Sequence, residues 1–188
     1  MATTKGKLRA WLFIGILFIV LGTAGWFLSK PLQRWWDQRH EKKFVVGTPL
    51  TEYRVDHVID GDTISIIPLN YKQSLRIIGI DAPETGSGQT KKECFADEST
   101  AHLKELIGDK IVGTNKDGQS REVDRYNRLL RYISVDGKDL GAQMVSDGYA
   151  YVYTEFPFDR SEEYKRLEKE ARDAQKGLWA PQACNGQR

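Results

Sequence analysis

The chain has 188 residues with 28 basic and 26 acidic side chains, but the charge is unevenly divided: residues 1–43 hold eight basic and two acidic, leaving 20 and 24 to residues 44–188. That balance excludes a domain that coats nucleic acid with a broad basic surface, so any dealing with a polyanion must come from a local site. The three histidines, His40, His57 and His102, are not spaced as zinc ligands.

Residues 1–9 form a short tail, and residues 10–29 contain no charge. Twenty apolar residues at helical rise span roughly 30 Å, the thickness of a bilayer core, so this stretch is expected to be a transmembrane helix that binds the lipid bilayer. Lys5, Lys7 and Arg9 before an apolar run also fit a signal peptide ending near Gly22-Thr23-Ala24. The run is long for such a peptide and bulky residues follow it, which favours an uncleaved anchor. Residues 30–50 read as a basic interfacial linker, with Trp35 and Trp36 at head-group level. The basic residues after the helix lean toward a cytoplasmic domain, whereas the very short tail suits an anchor that leaves its domain outside. Cys94 and Cys184 are an even pair without metal-ligand spacing, which fits one disulfide in an oxidising compartment; two unrelated thiols are the alternative. The expectation is a single-pass membrane protein with an extracytoplasmic domain.

The domain is placed over 51–183. Residues 53–59, 63–67 and 74–80 are β-branched and partly alternating, and their short spacing predicts an antiparallel meander. A flexible loop begins at Gly86-Ser87-Gly88. An amphipathic helix is predicted over 93–107, opening at Cys94, then strands over 110–114 and 129–135 flanking a polar loop. A short helix over 139–147 ends at Gly148. A last helix over 161–175 takes Ser161 as its N-cap and Gly177 as its stop. Five strands with segregated helices predict an α+β fold, an OB-fold barrel with three helices behind one transmembrane helix.

Three strings carry chemistry. In Asp60-Gly61-Asp62-Thr63 two carboxylates flank a glycine that allows an unusual backbone angle or a close approach; by itself the string is also an ordinary turn. In Asp81-Ala82-Pro83-Glu84 the proline biases Ala82 toward an extended conformation and sets its carbonyl direction. Arg76 precedes it within an aliphatic strand, where a guanidinium needs an anion, either a ligand or a structural partner such as Asp81. In Asp124-Arg125-Tyr126-Asn127-Arg128 the asparagine tolerates a left-handed turn that aims Arg128. Carboxylates gather a hard cation and arginines gather a phosphate, a combination that points to phosphate-ester chemistry.

The three strings, at these spacings, resemble the thermonuclease (staphylococcal-nuclease-like) family, as do the segments 140–148 and 170–179. The resemblance covers residues 53–179. It implies a calcium-dependent nuclease that hydrolyses DNA and RNA phosphodiesters to 3′-phosphates; separately, the chain is expected to act as a monomer without a protein partner. It assigns Asp62, Asp81 and the Ala82 carbonyl as Ca²⁺ ligands, Glu84 as the catalytic carboxylate, and Arg76 and Arg128 as catalytic phosphate-binding arginines. Arg125 and Tyr126 match residues that contact nucleotide. The family's later substrate tyrosines fall near Tyr151 and Tyr153. Ala82 and Asn127 depart from the family's usual threonine and glycine. A catalytically silent OB module that binds nucleic acid or protein is the alternative, though such modules usually lose the charged residues that this chain keeps.

Overall fold

The computed structural model describes residues 52–86, 88 and 90–188. The expected tail (1–9), transmembrane helix (10–29) and linker (30–50) lie outside the described residues. Among those described, no helix is long and apolar enough to cross a membrane.

Strands β1 (Glu52–Val58), β2 (Thr63–Ile66) and β3 (Gln73–Ile77) form an antiparallel meander. Later in the chain β5 (Ile111–Asn115) pairs antiparallel with both β1 and β6 (Leu129–Val135). Parallel pairing of β3 with β6 closes the ring. The result is a five-stranded barrel in the order of an OB-fold. A register shift between Val55 and His57 bends β1, which pairs through its first half with β5 and through its second with β2.

Alternation decides what faces inward. Leu75 and Ile77 are buried while Ser74 and Arg76 are only half-buried, and β6 buries Leu129, Arg131 and Ile133. With Ile64, Ile66 and Val112, the aliphatic side chains of Leu75, Ile77, Leu129 and Ile133 fill the barrel, each contributing about 1.5–3 kcal/mol by leaving water, while buried Arg131 is paired with Glu122.

Three helices cover the barrel: α1 (Ala96–Ile107), α2 (Leu140–Ser146) and α3 (Ser161–Asp173). Ala96, Ser99, Leu103 and Ile107 form the buried stripe of α1. Asp139 caps α2 by accepting from the Ala142 amide at 3.2 Å. The same carboxylate accepts from the buried Tyr164 hydroxyl at 3.0 and 2.9 Å and pairs with Arg160, so the start of α2 is tied to α3. Gly148 and Gly177, both at positive φ, cross so closely that a Cβ on Gly177 would lie 2.2 Å from the Gly148 carbonyl oxygen.

Most boundaries fall within a residue of the sequence expectations, and the larger departures are in four places. The third strand breaks at Ile77 because Gly79 turns at φ +80. The chain resumes as a two-residue strand, β4 (Ile80–Asp81), which pairs with β8 (Tyr151–Val152). A second short strand, β7 (Lys138–Asp139), extends the sheet beside β6. Helix α1 starts at Ala96 rather than 93, since Phe95 is left-handed (φ 69) and Cys94 is bonded to Cys184 in the turn before it. Helix α3 takes Arg160, not Ser161, as its N-cap, with no side-chain hydrogen bond there, and it ends at Asp173.

The loop between β5 and β6 is fastened at its base by Asp117. This carboxylate accepts from the Tyr132 hydroxyl and from the amides of Gln119, Ser120 and Asp159. Desolvation opposes ionisation, but the hydroxyl and amide donors outweigh it and hold the Asp117 carboxyl at about 2. A lowered folded value means that the stabilisation is complete above the ordinary value of 3.8 and fades as pH falls toward about 2. Asp117→Asn should therefore cost about 1–3 kcal/mol at neutral pH. In urea titrations the gap between wild type and variant should shrink between pH 4 and pH 2, which are about the two ends of that window; a gap independent of pH would rule the carboxylate out as the fastening group.

Candidate active site

The first string folds as a tight link between β1 and β2. The Asp62 amide donates to Asp60 Oδ1 at 3.1 Å. Gly61 is required by proximity: a Cβ there would sit 2.0 Å from Ser99 Oγ of α1 and 2.6 Å from Ala82. That contact drives Asp62 into the interior, where it is 1% exposed. It accepts from the Ala82 amide and the Thr63 hydroxyl, both at 2.8 Å.

Arg76 joins the first string to the second. One terminal nitrogen lies 2.7 Å from Asp62 and the other 2.8 Å from Asp81. The structural pairing anticipated between Arg76 and Asp81 is thus present and is shared with Asp62. Burial pushes the Asp62 carboxyl well above its ordinary value, and the Arg76 charge opposes this only in part. Burial would lower Arg76, but the two aspartates outweigh it and raise its pKa. Every contact to Asp62 comes from a donor, which suits the ionised carboxylate.

Glu84 is exposed beyond the buried Ala82 and Pro83. Its partial desolvation and the charge of Asp60 raise its carboxyl, against Arg76. Glu84 and Glu93 are bonded reciprocally: the Glu84 amide donates to Glu93 Oε2 at 3.0 Å, and the Glu93 amide to the Glu84 carbonyl at 2.9 Å. Arg188 pairs with Asp81 and lies 3.3 Å from Glu93.

The third string caps a short hairpin. Asp124 Oδ1 accepts from the amides of Tyr126 and Arg128, both at 2.9 Å, and Oδ2 accepts from Arg128 Nε at 2.6 Å. Asn127 is left-handed at φ 62, and its carbonyl accepts from the Gln73 side chain at 2.7 Å. The β3–β6 register pairs Leu75 with Leu129 and Arg76 with Leu130, so strand alternation puts Arg76 and Arg128 on the same side of this strand pair. Exposed Tyr126 lies beneath two guanidiniums, Arg125 at 4.8 Å and Arg128 at 5.3 Å. Tyr151 pairs across the short sheet with Asp81, and its hydroxyl is buried without a partner among the described residues. The Tyr153 hydroxyl donates to Glu155 at 2.9 Å.

Asp62, Arg76, Asp81, Ala82 and Glu84 are therefore drawn together around one guanidinium, while Arg125, Tyr126 and Arg128 stand on the neighbouring hairpin. Sequence reasoning missed Glu93, which holds the Glu84 backbone, and Arg188, which no spacing rule connects to Asp81. It included Asp124 in a string without giving it the orienting role that its three accepted bonds reveal.

Among the described residues no group of three or more histidine, cysteine, aspartate or glutamate side chains is arranged to hold a metal ion. The donors within reach are two carboxylates held to a common guanidinium and the Ala82 backbone. An all-oxygen set this small fits a hard cation that takes most of its coordination from water and substrate; it does not fit a protein-enclosed site.

These features define a small barrel domain whose polar site is built from carboxylates and guanidiniums. The model of the staphylococcal nuclease homologue family matches residues 74–181. The chain is 30% identical over 129 residues to the thermonuclease of Staphylococcus hyicus, covering 68% of this chain and 75% of that protein. It is 34% identical over 128 residues to an uncharacterised endonuclease of Escherichia coli, covering 68% and 76%. It is also 34% identical over 137 residues to Endonuclease YhcR of Bacillus subtilis, where the match takes in 66% of this chain but only 11% of that larger protein. The chain belongs to the staphylococcal nuclease homologue family.

If Asp124 sets the hairpin, Asp124→Ala should release Arg128 and Tyr126 together. Losing three accepted bonds around a turn should cost on the order of 1–3 kcal/mol locally. Amide exchange at Tyr126 and Arg128 should accelerate at least tenfold, with protection in β2 unchanged; unchanged exchange at both amides would show that Asn127 and Gln73 suffice.

Proposed function

We propose that this chain is a calcium-dependent nuclease that hydrolyses phosphodiester bonds in DNA and RNA and leaves 3′-phosphates. The observation that carries this reading is the Arg76 bridge, which gathers Asp62 and Asp81 into one charged group beside Glu84. Phosphodiester hydrolysis needs a positioned water and positive charge on the non-bridging oxygens. Arg76 uses one terminal N–H on Asp62 and its other terminal nitrogen on Asp81 and the Ile80 carbonyl, which leaves donors for a phosphate. Arg128 supplies a second guanidinium, kept in orientation by Asp124 through Nε, with its terminal nitrogens available for bidentate contact. Glu84, exposed and with a raised carboxyl, orients the attacking water and takes its proton. Asp62, Asp81 and the Ala82 carbonyl would hold Ca²⁺, which supplies Lewis-acid polarisation of the phosphate when bound. Tyr126, with Arg125 against it, offers an exposed ring for a base.

The purified full chain should degrade single-stranded DNA and RNA with Ca²⁺, lose that activity in EDTA, and turn over far more slowly with Mg²⁺, which demands stricter octahedral geometry. Cleavage undiminished by EDTA would remove the cation from the reading. Arg76, Glu84 and Arg128 substitutions should each cost on the order of 10²–10⁴ in rate, whereas Lys169→Ala, on exposed α3, should cost almost nothing. Near-normal activity of Arg128→Ala would reduce the hairpin to a structural part. Retained nucleic-acid binding without cleavage would favour the silent binding module.

We also propose that residues 10–29 anchor the chain, with the domain on the extracytoplasmic side. The Cys94–Cys184 bond, its Cα atoms 5.9 Å apart, supports this because such bonds persist in oxidising compartments. The full chain should stay in the membrane pellet after alkaline carbonate, and protease added to intact cells should digest its domain. Protection of the domain in intact cells would reverse the orientation.

A further inference from the structure

Arg188 is the one guanidinium on the candidate cation ligands that no sequence motif accounts for. It pairs with Asp81 Oδ2, while Arg76 holds Oδ1 of the same carboxylate. Its other terminal nitrogen reaches Glu93 Oε2, the oxygen that also accepts from the Glu84 amide. Its guanidinium lies 4.6 Å from the centre of the Tyr151 ring. Glu93 precedes Cys94, and Arg188 follows Cys184 by four residues, so the disulfide delivers the arginine to this position. The carbonyl of Cys184 further accepts from the Gln187 amide at 2.9 Å, folding the intervening residues into a turn.

We propose that Arg188 is a tethered competitor for the cation at Asp81. With Arg76 on Oδ1 and Arg188 on Oδ2, each Asp81 oxygen already carries a guanidinium, so a cation must compete with Arg188 for Oδ2. The Arg188 guanidinium also lies over the ring of Tyr151, which pairs across the short sheet with Asp81, so one side chain touches both members of that pair. The contact is half-exposed at Arg188, with 40% of its side chain accessible against 20% for Asp81; it is therefore a weak pair that a divalent ion can displace. The tether keeps its local concentration high, as any short linkage does. The apparent dissociation constant then rises by the reciprocal of the open fraction. This inference rests on the cation reading of Asp62 and Asp81.

The test is calorimetric Ca²⁺ titration of the detergent-solubilised full chain, as wild type, Arg188→Gln, Arg188→Lys and Asp81→Asn. Arg188→Gln should bind Ca²⁺ roughly three- to tenfold more tightly than wild type, corresponding to an open fraction of about one tenth to one third. Arg188→Lys should fall between them, since an ammonium keeps the charge but lacks the planar fork that reaches Asp81 and Glu93 while stacking on Tyr151. Asp81→Asn should weaken binding whatever stands at 188. Equal affinities for wild type and Arg188→Gln, with Asp81→Asn still weakened, would overturn the competitor and leave the cation site standing. Arg188→Lys indistinguishable from wild type would reduce the effect to net charge and overturn the bridging contact. No Ca²⁺ binding by any of the folded proteins would overturn the cation reading itself, and this inference with it.

Discussion

The site depends on a buried carboxylate that cannot stand alone. Asp62 is enclosed between the start of β2, the Ala82 amide and α1, and a lone charge there would cost several kcal/mol. Arg76 meets that cost, and because its two terminal nitrogens diverge it brings Asp81 to the same place. The strand that carries Arg76 must therefore keep its register. A slip of one residue would turn the guanidinium into the barrel and Leu75 or Ile77 outward, and parallel pairing with β6 on one edge and antiparallel pairing with β2 on the other prevents it. The fold and the site are fixed by the same hydrogen bonds.

The barrel was legible because its determinants are local. β-branched runs separated by short turns specify the meander, and the alternation of Leu75 and Ile77 with Ser74 and Arg76 shows which side is core. The short strands β4 and β8 could not be read in advance. Two residues carry no periodic signal, and their pairing depends on Gly79 breaking the third strand and on a segment 70 residues downstream, as the Ile80–Val152 and Asp81–Tyr151 partners show. The start of α1 was misplaced for a related reason: the polar and apolar spacing of 93–95 suits a helix, but the chain there is held in a turn by the bond to Cys184.

The candidate site was legible in its charged residues and illegible in what holds them. Asp62, Arg76, Asp81, Glu84 and Arg128 stood out because carboxylates and guanidiniums among strand residues need a reason to be there. Glu93 did not, since a glutamate near a helix start has an ordinary explanation, and its bonds to the Glu84 backbone exist only once the loop is folded. Arg188 is more distant still, 107 residues from Asp81. Long-range contacts of this kind arise from the barrel's closure, and no local spacing encodes them.

The Cys94–Cys184 bond also divides the chain unequally. The loop it closes contains α1, β5, β6, α2, α3 and the Arg128 hairpin, while Asp62, Arg76, Asp81 and Glu84 lie ahead of it. The two sets of charged residues thus belong to different covalent regions that meet along the parallel pairing of β3 with β6. A protease that nicked the exposed tip at Arg125-Tyr126, where loop ends are most open to cutting, would separate the polypeptide in sequence but not in space. Both pieces would stay linked through sulfur, and the barrel's strands would remain within reach of one another. A nicked molecule would be told from an intact one only after reduction.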